Sequence, residues 1–227
     1  MCVMLMGRLC RRRSARCVRG WLTKPLTERG ASTMSNLPEN FVVIDMETTG
    51  LDPKACQILE IGAVDATGRR FYRRCSITRG CRVDWPALAC NGIDPLDLGD
   101  GSPAAGMMFQ LLDWLRADGY LGRWIMGGKN PQFDYAFLKA VWPDPDRIEP
   151  LDEVISRRCV DLHSLAYGMA LRSGWDMAGE DFSTDDLYRA VGLEPEPNPH
   201  NALRGALHEM EGFRRVLMGS AAATPQT

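Results

Sequence analysis

Runs of apolar residues broken by acids, glycines and prolines divide this chain into elements. Phe41-Val42-Val43-Ile44 places four apolar residues in a row, three of them β-branched, which predicts a strand buried on both faces. The run stops at an acid, Asp45, and Thr48-Thr49-Gly50 then breaks the pattern. Gln57 to Asp65 (QILEIGAVD) predicts a second strand and Thr67-Gly68 a tight turn; Arg70 to Thr78 (RFYRRCSIT) then predicts a third strand, completing an antiparallel meander. Arg69, Arg70, Arg73 and Arg74 fall on both of its faces, as suits an exposed edge. Further on the spacing becomes helical. Ser102-Pro103 reads as N-cap and first turn of a helix in which Met107, Met108, Leu111, Leu112 and Leu115 form a core stripe, ending near Gly119. Arg123 to Gly127 predicts a short strand. Asn130-Pro131 starts a helix that stops before Pro143, and 143–150 reads as a loop. Cys159 to Leu162 predicts another strand, followed by a helix through Arg172. Ser183 to Asp186 is a capping signature for a helix ending at Gly192, and a proline-rich linker (EPEPNP) leads to a last helix, Asn201 to Met218. Three antiparallel strands, then two further strands alternating with helices, predict an α/β fold with a mixed sheet flanked by helices.

Length and charge divide the 227 residues further. Residues 1–34 hold eight Lys and Arg against one acid, whereas the remainder holds 19 against 28. Residues 1–39 are read as a basic, disordered extension or the product of a start placed upstream of Met34, residues 40–218 as one folded domain, and 219–227 as a disordered tail. The acidic domain argues against a broad basic nucleic-acid surface, but not against a local site where cations offset the charge. No stretch of ~18 apolar residues is present, so no membrane partner is expected. Eight cysteines without a Cys-x-x-Cys, and only three histidines, point to reduced thiols in a cytoplasmic protein.

The candidate chemistry lies in three stretches. Side chains alternate along a strand, so Asp45 and Glu47 project from one face at its end, an oxygen-donor pair suited to Mg²⁺ or Mn²⁺. Asp134 falls in the first turn of the helix opened by Asn130-Pro131, where Asn as cap, Pro in first position and an acid near the dipole also follow from helix-start chemistry alone. His200 stands at the start of the last helix, where the dipole favours the neutral imidazole that can accept a proton.

Asp45-x-Glu47-Thr48-Thr49-Gly50, Asn130-x-x-x-Asp134 and His200-x-Ala202, in that order, resemble the three motifs of the DEDDh 3′–5′ exonucleases, the superfamily of proofreading exonucleases, RNase T and oligoribonuclease. The resemblance covers about residues 40–218, and Ala89-Cys90-Asn91-Gly92-Ile93 is similar to the family's loop near the nucleotide pocket. It implies a ribonuclease H-like fold and two divalent cations, Mg²⁺ or Mn²⁺, about 4 Å apart. It further implies that Asp45 bridges both ions, Glu47 holds the ion near the nucleophile, Asp134 anchors the second, and His200 takes the proton from the attacking water. Backbone at Met46 and Thr48, with Asn91, Asn130 and Phe133, would border the nucleotide. The implied substrate is a single-stranded DNA or RNA 3′ end, with 5′-mononucleotides as product; a polymerase or homodimer partner stays open.

One position departs from the pattern. The third motif ends in Asp, and here Gly205 stands in its place. Glu209, one turn later and about 6 Å along the axis, either takes over through a water or is an exposed helical acid. Otherwise the site works with one ligand replaced by water, or the chain binds nucleic-acid ends without cleaving them. If the missing carboxylate is what limits metal binding, Gly205→Asp is expected to lower the Mg²⁺ requirement.

Overall fold

The computed structural model describes residues 37–78, 80–94, 102–174, 183, 186, 188–189, 191–196 and 198–218. A six-stranded sheet has the order β4-β3-β2-β1-β5-β6. Strands β1 (Phe41–Thr48), β2 (Ile58–Asp65) and β3 (Arg70–Ser76) form the expected antiparallel meander. Strand β4 (Ser102–Pro103) pairs in parallel with the end of β3, while β5 (Ile125–Gly128) and β6 (Val160–Asp161) extend the sheet in parallel beyond β1.

The helices are α1 (Trp85–Asn91), α2 (Ala104–Leu115), α3 (Pro131–Val141), the short α4 (Leu151–Val154), α5 (Leu162–Arg172) and α6 (Ala202–Met218). The mixed sheet flanked by helices agrees with the ribonuclease H-like expectation. Ser183 and Asp186 exchange backbone-to-side-chain bonds at 3.0 and 3.2 Å, the reciprocal cap expected there, and Gly192 has the left-handed φ of 71°. Of the expected extension, 1–39, residues 1–36 lie outside the described residues, as does the expected tail, 219–227.

Several local expectations fail for definable reasons. Ser102-Pro103 pairs with Cys75 and Ser76 as β4, at the edge of the sheet, so α2 begins at Ala104 and Pro103 is its N-cap residue. Beyond Leu115 the chain tightens into a 3₁₀ turn, Ala117–Gly119. Asn130 makes no side-chain cap; it takes the left-handed conformation (φ 56°, ψ 49°) that Asn tolerates better than most residues. Its N–H donates to Asp161 Oδ1 at 3.1 Å, which ties the start of α3 to β6. On β3, whose edge β4 covers only at Cys75 and Ser76, Arg70 and Arg73 are exposed as expected; Arg73 also donates to Gln110 at 2.8 Å, while Arg69, before the strand, pairs with Asp65 at 2.6 Å and lies over the Trp114 ring.

The register of β1 decides where chemistry can sit. Val42, Ile44 and Met46 point into a core completed by Met107, Met108 and Leu111 of α2 and by Phe137 and Leu138 of α3. Phe41 and Val43 point the other way, into a core with Ala206, Met210 and Phe213 of α6. Asp45 and Glu47 continue that second face. The Phe41 and Phe213 rings meet edge-on at 5.0 Å, and Gly205 lies against Asp45. Four strand residues and eight helical residues each span about 12–13 Å, so α6 runs antiparallel along β1 and brings its first turns to the two acids. Gly62 makes this approach feasible: a Cβ there would meet the carbonyl oxygen of Ala202 at 2.2 Å.

Candidate active site

Asp45 and Glu47 stand at the C-terminal end of β1, Asp134 one turn into α3, and Glu209 two turns into α6. Glu47, Asp134 and Glu209 are buried, at 7%, 4% and 6% exposure, and Asp45 is partly so. The exposed-acid alternative for Glu209 is therefore overturned. Its side chain leans back toward the helix N-terminus, as helical geometry directs, and Oε2 comes within 3.4 Å of where a Gly128 Cβ would stand.

The acids sense one another. Withdrawal from water raises Asp45 to about 7, helped by the charge of Glu196; the Met46 amide and the Lys129 ammonium oppose the shift. Burial, then Asp45 and Glu196, lifts Glu47 to about 8. Asp134 is pushed well above the carboxylate range by burial and by Asp45, and Glu209 by burial, Asp45 and Asp134. The amide of Met46 donates to Asp134, and that of Lys129 to Glu209. Those few donors leave the cluster short of compensation.

The donor set, all carboxylate oxygen, fits hard cations such as Mg²⁺ or Mn²⁺. A buried carboxylate oxygen without a hydrogen-bond partner, Oε1 of Glu196, adds to that fit. Among the described residues, however, no three His, Cys, Asp or Glu side chains already stand as a group able to hold a metal ion. The acids lie close enough to act on one another without closing into a coordination shell.

The remaining expected residues are held by contacts of their own. The N–H of His200 donates to Cys90 O at 3.1 Å, and its Nδ1 lies 3.9 Å from Cys90 Sγ. Asn91, buried at the end of α1, donates through Nδ2 to Thr48 O at 3.2 Å, so α1 joins His200 to the end of β1. Met46 and Thr48 are buried, Thr48 Oγ1 donating to Gly50 O at 2.7 Å. Phe133 is half-buried against Phe137 at 4.9 Å.

Four residues were missed by sequence reasoning. Glu60 pairs with Glu47 across β1 and β2, accepts from Tyr72 at 2.8 Å and Asn201 Nδ2 at 2.7 Å, and receives the Ala202 N–H at 3.3 Å. It fixes the start of α6 beside the cleft, and β-strand alternation signalled its face. Lys129 and Glu196 sit in stretches that read as ordinary turn and linker. Trp85, 68% exposed, opens α1 immediately after Asp84, whose N–H donates to Thr49 O at 2.7 Å.

Gly205 bears on the Gly205→Asp expectation. A Cβ at that position would stand 2.1 Å from Asp45 Oδ2. A side chain at 205 therefore requires the Asp45 carboxylate to shift, so Gly205→Asp changes the first acid as well as adding a carboxylate.

An exonuclease family model, RNase_T, matches residues 42–207, more than half of the chain. The chain belongs to the RNase T-like 3′–5′ exonuclease superfamily. It is 28% identical to ribonuclease T of Hahella chejuensis over 164 residues, covering 66% of this chain and 75% of that protein. A second relative in sequence is the PolC-type DNA polymerase III of Thermotoga maritima, 29% identical over 180 residues, which cover 78% of this chain and 12% of the polymerase. In fold, this exonuclease-family chain is similar to E. coli exonuclease I solved with single-stranded DNA and zinc, at a TM-score of 0.60 and 18% identity over 78% of the chain; it spans 40% of that protein. Among its described residues, no helix is long and apolar enough to cross a membrane.

Proposed function

We propose that this chain is a metal-dependent 3′–5′ exonuclease that hydrolyses the terminal phosphodiester of single-stranded DNA or RNA and releases 5′-mononucleotides. The observation that carries the reading is the convergence of Asp45, Glu47, Asp134 and Glu209, from three separate elements, with protons held high by burial and by one another. Such a set has no packing rationale, because each acid raises the cost of the next. Two Mg²⁺ or Mn²⁺ ions held by these four side chains would supply charge neutralisation at the scissile phosphate and a more acidic nucleophilic water.

The chain's own residues supply the rest of the mechanism. Nδ1 of His200 faces Cys90, which leaves Nε2 to take the proton of the attacking water. Lys129, the cation that eases the charge on Asp45, Glu47 and Glu209, offsets part of the negative charge that the phosphate brings. The backbone at Met46 and Thr48, the latter positioned by Asn91, borders the terminal sugar, while Asn130 and Phe133 border the nucleotide. Trp85 offers an exposed ring at the rim on which a base can stack.

Gly205 favours a second reading, a protein of this fold that holds nucleic-acid ends without cutting them. A 3′-labelled single-stranded oligonucleotide with Mg²⁺ or Mn²⁺ separates the two. Release of labelled mononucleotide, abolished by a chelator, is expected. Retained binding without release would establish the second reading.

A further inference from the structure

The missing carboxylate of the third motif leaves a question that this structure answers from an unexpected segment. Gly205 is not an empty place. A Cβ there would stand 2.1 Å from Asp45 Oδ2 and 3.2 Å from Glu196 Oε1, so two carboxylates from other parts of the chain already border the space that a side chain at 205 would enter. Glu196 lies in the linker that precedes α6, between Pro195 and Pro197. Its Oε1 is buried and has no hydrogen-bond partner. An unpaired buried carboxylate oxygen is expensive, and it persists where a ligand completes it. The same side chain is the largest charge acting on Asp45 and, after Asp45, on Glu47, which sets it on the cleft side of the linker.

We infer that Glu196 is a ligand of the divalent-cation site, supplying from the linker the carboxylate that the family pattern would place at position 205. The inference rests on the metal-site reading above. It explains why glycine is suited to position 205: the absent side chain is what lets Glu196 and Asp45 occupy one space. Glu209 then completes the cleft from the other side, one turn further along α6, against Gly128. The third-motif function is thus divided between two glutamates that flank the glycine in sequence. Flanking prolines restrict the backbone of the linker and so lower the entropy lost in holding Glu196 inward.

The test is Mn²⁺ binding to the full chain, followed by calorimetry and by the electron paramagnetic resonance signal of free Mn²⁺, without any nucleic acid. Glu196→Gln is expected to weaken Mn²⁺ binding by roughly 10–100-fold or more. Glu194→Gln, an exposed acid of the same linker, should leave it unchanged. Asp45→Asn reports on the site as a whole. Wild-type affinity in Glu196→Gln alongside lost affinity in Asp45→Asn would overturn the role of Glu196 and leave the metal site standing. Wild-type protein that binds no Mn²⁺, or Asp45→Asn that binds as well as wild type, would overturn both. Thermal melts of the metal-free proteins guard against a folding defect: Glu196→Gln should melt no lower than wild type, since it removes a repulsive charge. A clear drop would make Glu196 a structural residue and end the proposal.

Discussion

Two acids at opposite ends of the β1–β2 pair, one fully and one partly buried, have opposite surroundings. Asp65, fully buried at the end of β2, accepts from Thr67 N and Oγ1 at 2.9 and 2.6 Å and from Arg69 N and Nε at 3.0 and 2.6 Å. Both carboxylate oxygens that burial strips of water have donors, and the turn into β3 is built on them. At the other end, Asp45 meets Glu47, Glu60, Glu196 and Asp134, with a backbone amide and Lys129 as relief. A carboxylate that serves the fold is compensated within the fold. A carboxylate cluster left short of compensation holds on to its protons, and on the proposed reading a bound cation takes their place.

Breaking the cluster should therefore have the largest effect on activity and the opposite effect on stability. Asp45→Asn is expected to reduce nucleotide release below detection in the 3′-label assay. The metal-free variant should nevertheless be more stable than wild type at pH 8. Its sign follows from linkage. Asp45 and Glu47 hold protons up to about 7 and about 8 in the folded state but only to about 4 when unfolded. Folded protein therefore binds more protons across that interval, and the contribution of these two groups to metal-free stability is fully present below about pH 4 and is lost as the pH climbs to 8. Urea melts at several pH values should show a shallower fall in Asp45→Asn. His200→Ala comes next, with a loss of turnover of roughly 10²–10⁴-fold at little change in Mn²⁺ affinity.

The compensated end should behave in reverse. Asp65→Ala is expected to cost roughly 1–3 kcal/mol in a urea melt, because Arg69 and two backbone amides lose their acceptor. Its activity per folded molecule should stay near wild type. The smallest effect sharpens the comparison within α6. Glu209→Gln should weaken Mn²⁺ binding, whereas Glu211→Gln, which removes only a partly exposed pair with Arg215 at 3.0 Å, should leave binding unchanged and stability within about 1 kcal/mol. Equal effects on binding would remove Glu209 from the site.

What the sequence disclosed follows the range of the forces involved. The β1–β3 meander, α3, α5 and α6 were legible because their periodicity is local and their apolar faces are unambiguous. Asp45, Glu47 and Asp134 were legible as motif members, and Glu209 only as one of two alternatives. Its burial depends on how α6 lies along β1, which the helix's own sequence leaves open. Ser102-Pro103 misled because a two-residue pairing with β3 overrode good helix-start chemistry. Asn130 misled because its left-handed backbone, tied to Asp161, replaced the side-chain cap. Glu60 was readable in principle, since strand alternation and the β1–β2 pairing put it beside Glu47. Glu196 was not: nothing in a proline-rich linker says which way a glutamate turns. Gly205 was noticed as a loss, yet its meaning, a space occupied by other carboxylates, exists only in three dimensions.

The most direct measurement is the proton count on metal binding. Mn²⁺ titrated into the wild-type chain at pH 7, in two buffers of different ionisation enthalpy, reports how many protons leave as the ion binds. The account predicts net release of protons, diminishing as the pH is raised above 8, because the acids that hold protons are the ones that receive the ion. Binding without proton release at pH 7, or no binding at all, would contradict it.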